Sequence, residues 1–387
     1  MEKFLYFAFF YSSNTGDTEI IKQILGIFKQ SGIVTDNYTF SGESVDFVEK
    51  ETRKFNKASR FRILLSHSNI ISLFYYLLNK FRRKERSRNL VKKIKESKGI
   101  IFGGGNMLLD INPIILLYIR FIAKKAKKFN KPVHFIYIGA GPLRSFFSRL
   151  IVTSILRYTD SVHVRDDISY DLLNKLTNNK DIIKRTIDPV LFNSYIDVTK
   201  KEIKEIKFGT CIISRICFDS NDDYSSYLDY TERLIVGIYK EFNNSKFILF
   251  STDNIDYDAV NFIGDKLKNS GIDYEIIINV NTLNIEKIYS GFDYLLGGRM
   301  HSLIFSQKYL VPYIGIIWQS KLIGYGKVSG SSERLINMDE VRDKDLKIIQ
   351  NIVEDILNID KVREKMAIKN RTFNDEIYNA VELIQKN

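Results

Sequence analysis

The chain predicts an α/β protein of two parallel-sheet domains that face each other across a cleft. Three observations carry this. Short apolar runs alternate with helical periodicity in a repeating strand–turn–helix order, the pattern of a doubly wound parallel sheet. Successive runs end in glycine or in Arg/Asp turns. After Val198 the character changes to a charged link, TKKEIKEIKFG, and a second series of the same kind follows. At 387 residues there is enough chain for two cores. The expected domains are residues 1–198 and 206–387, and the last helix is a candidate to cross back to the first domain.

The first series begins with a buried strand from Phe4 to Tyr11. A turn from Ser12 to Asp17 follows, then a helix from Thr18 to Gln30 with an apolar face of Ile20, Ile21, Ile24, Leu25 and Phe28. Asn14 and Asp17 fall at the strand's carboxyl end. Turn chemistry and a helix N-cap explain them locally; a polar contact to substrate is the functional reading. A strand from Gly99 to Phe102 feeds Gly103-Gly104-Gly105-Asn106, and Asn112-Pro113 opens a helix from Ile114 to Phe129. The triple glycine is neither a dinucleotide fingerprint, since no glycine stands three positions after Gly105, nor a P-loop. The strand from Val133 to Ile138 ends in Gly139-Ala140-Gly141-Pro142. The strand from Ser161 to Val164 ends in Arg165-Asp166-Asp167 before a helix from Ile168 to Leu176. A run from Ile182 to Thr186 leads to Asp188-Pro189-Val190. Arg165 and Asp166 are expected to pair internally and hold their loop, and Asp188 to make a turn.

The second series alternates strands at 209–214, 247–251 and 274–280 with helices at 224–242, 257–269 and 285–290. Then comes GFDYLLGGRMHSLIFSQKYLVPYIGIIWQSK. It reads as a strand from Tyr294 to Leu296, a Gly297-Gly298 turn, a helix from Ser302 to Lys308, a strand from Tyr313 to Trp318, and Lys321. Helices at 345–357 and 362–386 close the chain. The turn places Arg299, His301 and the N–H groups of a helix start at one carboxyl edge of a parallel sheet, where such sheets bind ligands and a helix start attracts anions. An arginine fork, a titratable ring and oriented amides point to an anionic substrate and a proton transfer.

Composition narrows the partners. The formal charge of +12 suits a polyanionic ligand, a nucleic acid or an anionic membrane surface without choosing among them. No nucleic-acid reader motif accompanies it, so that class has charge as its sole support. Two cysteines and four histidines without metal spacing argue against a zinc site or a disulfide framework. Cys211 reads as a small core residue, and His134 and His163 as core or near-surface groups. The amino terminus lacks a cleavable-signal pattern, and no run reaches the roughly 18–20 apolar residues of a spanning helix, so the cytoplasm is the default. Residues 66–98 join an apolar aromatic block to Arg82, Arg83, Lys84, Arg86, Arg88, Lys92 and Lys93. Two readings stand side by side: docking on an anionic membrane face, and an ordinary helix with a solvated basic end.

In chain order, several elements resemble the polysaccharide pyruvyl transferases. They are Asn14-Thr15-Gly16-Asp17, Gly103-Gly104-Gly105, Gly139-Ala140-Gly141-Pro142, Val164-Arg165-Asp166 with Ser169, Asp188-Pro189-Val190, Ile213-Ser214-Arg215, Gly298-Arg299-Met300-His301-Ser302, and Val311-Pro312 with Lys321 downstream. The likeness runs over about residues 12 to 321. The resemblance implies two Rossmann-like domains arranged as in GT-B glycosyltransferases. It implies transfer of the enolpyruvyl carbons of phosphoenolpyruvate to a sugar or lipid-linked oligosaccharide of a cell-surface polysaccharide precursor. The product is then a cyclic pyruvate ketal with release of phosphate, and no metal or other cofactor is called for. Arg299 maps onto the family's phosphoenolpyruvate-binding arginine and His301 onto its proposed acid.

Within that reading, Arg299 grips phosphate or carboxylate with paired N–H bonds. Arg215 is expected to face the same cleft, Lys321 to add a point charge, and the N–H groups near Ser302 to add donors. Acceptor contacts are expected near Asn14, Asp17, Gly104 and Asn106. A cytoplasmic enzyme at the inner membrane face suits the basic segment. Two other classes fit the same pattern: a nucleotide-sugar glycosyltransferase, and a noncatalytic glycan- or anion-binding protein.

Overall fold

The computed structural model describes residues 2–12, 14–47, 84–110, 113–194, 205–218, 220–337 and 345–385. Residues 66–83 of the basic segment, the Asn112 cap and most of the charged link lie outside them. The first domain contains β1 (Phe4–Phe7), α1 (Thr15–Gln30), β2 (Thr35–Tyr38), α2 (Lys84–Glu96), β3 (Gly99–Gly103), β4 (Asn106–Leu108), α3 (Pro113–Lys128), β5 (Val133–Ala140), α4 (Phe146–Leu156), β6 (Ser161–Val164), α5 (Asp167–Asn174) and β7 (Ile183–Arg185). The second contains β8 (Ile206–Cys211), α6 (Asn221–Glu241), β9 (Ser245–Phe250), α7 (Tyr257–Asn269), β10 (Tyr274–Ile277), α8 (Ile285–Tyr289), β11 (Tyr294–Gly297), α9 (Met300–Lys308), β12 (Tyr313–Ile317), α10 (Ser320–Ser329), β13 (Leu335–Asn337), α11 (Asp345–Leu357) and α12 (Ile359–Gln385).

Both sheets are parallel. The first has the order β2-β1-β3-β5-β6-β7, with β4 pairing β5 off the path. The second has the order β10-β9-β8-β11-β12-β13. Counted within its own domain that is 3-2-1-4-5-6, the order of dinucleotide-binding sheets. Strand order reverses between β1 and β3 in one sheet and between β8 and β11 in the other. These reversals open the crevices where ligands bind.

Side-chain alternation sends each face of a strand to a different core. Leu5 and Phe7 pack with Phe102 and Phe135, whose rings stack 4.7 Å apart. Phe4 and Tyr6 point the other way and pack with α1. That second core is shared between the domains: Tyr137 and Phe192 join Phe305, Tyr313 and the buried face of α12. α12 crosses from one domain to the other. Asn370 is bonded to Gln307 at one end, and further along the Tyr137 hydroxyl donates to the carbonyl of Ile377 at 2.6 Å.

The structure extends the sequence reading where capping and polar strands hide an element. α1 starts three residues earlier than expected, because the Asn14 side chain accepts from the backbone N–H groups of Gly16 (2.9 Å) and Asp17 (3.3 Å). β2 has the sequence TDNY and β13 has three residues, so neither shows an apolar run. α4, opened by the Ser145 cap, and α10, interrupted by Gly324 and Gly326, are also absent from that reading.

Two outcomes follow from this packing. Gly104 sits at φ +78°, and a Cβ there would stand 2.6 Å from Ile20 of α1. Gly104→Ala should cost about 1–3 kcal/mol in urea unfolding through strain and the forced shift of α1. His134 and His163 lie on β5 and β6, and burial pushes each down to about 4; for His163 the charges of Lys184 and His134 add to the effect. Their folded values lie below the unfolded value of roughly 6.5. The stability from keeping them neutral is therefore complete above that pH and is lost as pH falls from there toward 4. Each contributes on the order of 2–3 kcal/mol to this loss, and His134→Gln should shallow the fall measured by urea titration between pH 7 and 4.5.

Candidate active site

The loops that follow β1, β6 and β7 meet those that follow β8, β9 and β11. Two hydrogen bonds fasten the domains here: the Thr15 N–H donates to the Thr252 carbonyl at 2.9 Å, and the Thr15 hydroxyl to the Val280 carbonyl beyond β10 at 2.7 Å. On another side of the junction the buried Lys308 ammonium donates to the carbonyls of Val190 (2.8 Å) and Phe192 (3.4 Å). His301 lies between these fastenings.

His301 is the second residue of α9 and is 8% exposed. Its ring lies flush against Gly16 of the first domain: a Cβ at Gly16 would be 2.1 Å from the ring's Cγ. Only glycine allows that approach. The Nε2 atom is 3.4 Å from Arg165 Nη1 and 3.9 Å from an oxygen of Asp188. Burial lowers the His301 pKa, Asp188 opposes that, Arg165 reinforces it, Asp17 opposes it and Arg299 reinforces it. Together these favour the neutral ring.

The expected Arg165–Asp166 pair is not formed. Arg165 instead forms a buried, hydrogen-bonded ion pair with Asp188. Asp166 caps α5, accepting from the N–H and the hydroxyl of Ser169, both at 2.7 Å. Asp188 does make its expected turn, accepting from the Val190 N–H at 3.0 Å, and also faces His301. Arg165 and Asp188 are thus site residues that spacing left unassigned. Their signal was position, since both stand at carboxyl ends of strands.

Arg299 stands at the amino-terminal boundary of α9 and is held rather than open. Its Nε and Nη2 donate to Asp256 at 2.8 and 2.7 Å, and Asp253 lies 3.9 Å away. Burial disfavours the guanidinium charge, but the Asp256 bonds outweigh it and leave the pKa above that of a free arginine. Asp256 is fully buried and also accepts from Ser251 Oγ at 2.5 Å and the Ser214 N–H at 2.9 Å. The Trp318 indole donates to the Gly298 carbonyl at 2.6 Å, fixing the same turn.

Two expected donors are engaged elsewhere. Arg215 turns to its own loop, bonding Asn221 and, at 2.6 Å, the Phe218 carbonyl. Ser302 is fully buried, and its N–H (3.0 Å) and hydroxyl (2.6 Å) both go to the Arg299 carbonyl. Neither is presented to His301. Lys321 is different. It is the second residue of α10 and has no hydrogen-bond partner among the described residues. Burial lowers its pKa to about 8, Arg165 adds to that, and Asp166 and Asp17 oppose it. An unpartnered, largely buried lysine beside Arg165 is a ready anion seat.

On the first-domain side, Asn14 uses its oxygen to cap α1 and its Nδ2 to reach Asp253 at 3.2 Å. Gly104 packs on α1. Asp17 and Asn106 line a pocket of about 410 Å³ beside β1 and β4. Ser12 donates to Asp17 at 3.0 Å, and Asn106 donates to the Gly141 carbonyl at 3.0 Å. No group of three or more His, Cys, Asp or Glu side chains among the described residues is placed to hold a metal. No described helix is long and apolar enough to cross a membrane.

The fold is shared with sugar-nucleotide enzymes. Anabaena HepE, solved with UDP-glucose, superposes over 100% of both chains with a TM-score of 0.58 at 10% identity. UDP-GlcNAc 2-epimerase from Neisseria meningitidis covers 100% of both chains with a TM-score of 0.56 at 12% identity. The lipopolysaccharide galactosyltransferase WaaB covers 98% of this chain and 99% of its own with a TM-score of 0.53 at 14% identity. At such identities the likeness is one of fold, two parallel-sheet α/β domains of the GT-B kind. No curated protein matches the chain. The polysaccharide pyruvyl transferase model matches residues 14–320, from the Asn14 cap to the start of the helix that carries Lys321, and the chain belongs to that family.

Proposed function

We propose that this protein moves the enolpyruvyl carbons of phosphoenolpyruvate onto two hydroxyls of a sugar in a polysaccharide precursor, releasing phosphate and leaving a pyruvate ketal. The observation that carries this reading is the placement of His301. It is enclosed between Gly16 and Asp17 of one domain and the Arg165–Asp188 pair, with an unpartnered Lys321 close by. Lys321 and Arg165 are the cations that would seat the phosphate and carboxylate. Arg299, locked on Asp256, holds the turn that presents His301.

The step balances without a cofactor. Protonated His301 gives its proton to the methylene carbon, forming a C–H bond and an oxocarbenium-like centre at the adjacent carbon. A sugar hydroxyl attacks that centre, forming one C–O bond, and its proton passes to Asp17, the carboxylate adjoining both Gly16 and the first-domain pocket. A second hydroxyl forms the other C–O bond as the C–O bond to phosphate breaks. Asp17 then gives the first hydroxyl's proton to His301, the second hydroxyl's proton leaves with phosphate, and both His301 and Asp17 end as they began. The exposed Lys92, Lys93 and Lys95 on α2 would suit work at the inner face of an anionic membrane.

A second reading is transfer from a nucleotide sugar, favoured by the fold shared with a UDP-glucose complex. One experiment separates the two. Phosphoenolpyruvate should raise the melting temperature and release phosphate only with a glycan acceptor, with a ketal found by mass spectrometry. Stabilisation by UDP instead, without phosphate release from phosphoenolpyruvate, would overturn the proposal.

His301→Gln should lower turnover by about 10²–10⁴-fold with phosphoenolpyruvate binding kept. Lys321→Met should weaken phosphoenolpyruvate binding by roughly 10–100-fold, the loss of a bond to a charged group, read by calorimetry. In an NMR titration His301 should hold its proton to higher pH in the phosphoenolpyruvate complex than in the free protein, because the ligand's negative charge favours the imidazolium. An unmoved titration would remove it as the acid.

A further inference from the structure

The first-domain pocket has a character of its own. Its wall is built from Phe9, Phe10, Phe40, Met107, Leu109 and Ile115, and its volume of about 410 Å³ lies within the roughly 300–1,000 Å³ of small-molecule sites. The Phe9 and Phe40 rings stand 5.1 Å apart, and Phe40 rests in turn on Phe102 in the core, so the aromatic wall is rigid. Polar atoms enter from Asp17, Asn106, Ser12 and Thr39, and no lysine or arginine is among its described lining residues. Asp17 is next in sequence to Gly16, on which the His301 ring lies. The pocket therefore opens within one residue of the proposed proton donor.

We infer that this pocket seats a neutral sugar ring bearing an apolar substituent, such as an N-acyl or deoxy methyl group, and excludes uronic and phosphorylated sugars. The inference deepens the pyruvyl-transfer reading and rests on it for the identity of the bound sugar as acceptor. The apolar C–H face and methyl group lie on the phenylalanine wall, where burial of apolar area supplies the attraction. Hydroxyls reach Asp17 and Asn106. A carboxylate or phosphate on the sugar would face the Asp17 charge with no cation among the described lining residues to offset it, and like charges in a partly dry site repel strongly.

Saturation-transfer NMR with the methyl glycosides of an N-acetylhexosamine, a 6-deoxyhexose and a hexuronic acid tests this. Saturation should reach the N-acetyl and 6-methyl protons of the neutral sugars and not the uronide. Ile115→Trp, which fills the pocket from α3, should weaken neutral-sugar binding at least tenfold while stabilisation by phosphoenolpyruvate is kept. Asp17→Asn keeps the shape and removes the charge, and should admit the uronide. Equal binding of uronide and neutral sugars by the parent protein, or undiminished sugar binding in folded Ile115→Trp, would overturn the inference. Binding of the neutral sugars as described, without any response to phosphoenolpyruvate, would uphold the pocket and overturn the donor assignment.

Discussion

The two bonds from Arg299 to Asp256 set the geometry of everything around them. They tie the turn after β11 to the loop after β9, and Asp256 in turn gathers Ser214 from the loop after β8 and Ser251. Three loops of the second sheet are thereby fixed to one buried carboxylate. His301 is two residues from Arg299 on the first turn of a helix, so its place follows from that anchor. A buried pair of this kind is not a strong source of stability, since desolvation of both charges offsets most of their attraction. Its worth is positional. Removing either partner would leave a buried charge alone, at a cost of about 3–5 kcal/mol, and free the turn as well.

The same anchor explains why Arg299 is not presented as an open anion receptor. A guanidinium that already forks a carboxylate has little left to offer a second anion unless the first is displaced. The cations that remain for a phosphate are Lys321, which bonds to none of the described residues, and Arg165, which shares Asp188 with His301. The site is then nearly balanced in charge before a ligand arrives. Arg165, Arg299 and Lys321 stand against Asp17, Asp188, Asp253 and Asp256, one negative charge in excess that a protonated His301 would cancel. Under the proposed transfer, that balance suits a proton donor that is neutral by itself and charged beside an anion.

Much of this was legible beforehand, for identifiable reasons. Buried parallel strands are continuous apolar runs, so β1, β3, β5, β8, β11 and β12 announced themselves, and glycine turns marked the carboxyl ends of β3, β5 and β11. The Arg299–His301 loop could be placed because strand, turn and helix follow one another directly. Partners distant in sequence could not be read. Nothing local in Arg165 says that it will choose Asp188 over its neighbour Asp166; that is decided by Asp166 being drawn off to cap α5. Arg215 and Ser302 were placed at the correct edge, but their donors were claimed by nearer acceptors. The pocket at Asp17 was invisible as a shape, because Phe9, Phe40 and Ile115 lie on three separate segments.

The shared core bears on how the two halves work together. Tyr137 and Phe192 from one domain, Phe305 and Tyr313 from the other, and the length of α12 form one apolar cluster, which behaves as an interior rather than as a hinge. Opening the junction at His301 would have to break the Thr15 bonds to Thr252 and Val280 and part the histidine from Gly16. A large swing of one domain on the other is therefore costly where α12 binds both. For the proposed transfer, substrates are better served by groups already in place at the junction: Lys321 near Arg165 and Asp17, and the aromatic pocket at Phe9 and Phe40 that Asp17 also lines. Proximity of that kind is what the proposed two-substrate transfer requires. Here it is supplied by the missing side chain of Gly16, where a Cβ would stand 2.1 Å from the His301 ring and push the loop and the ring apart.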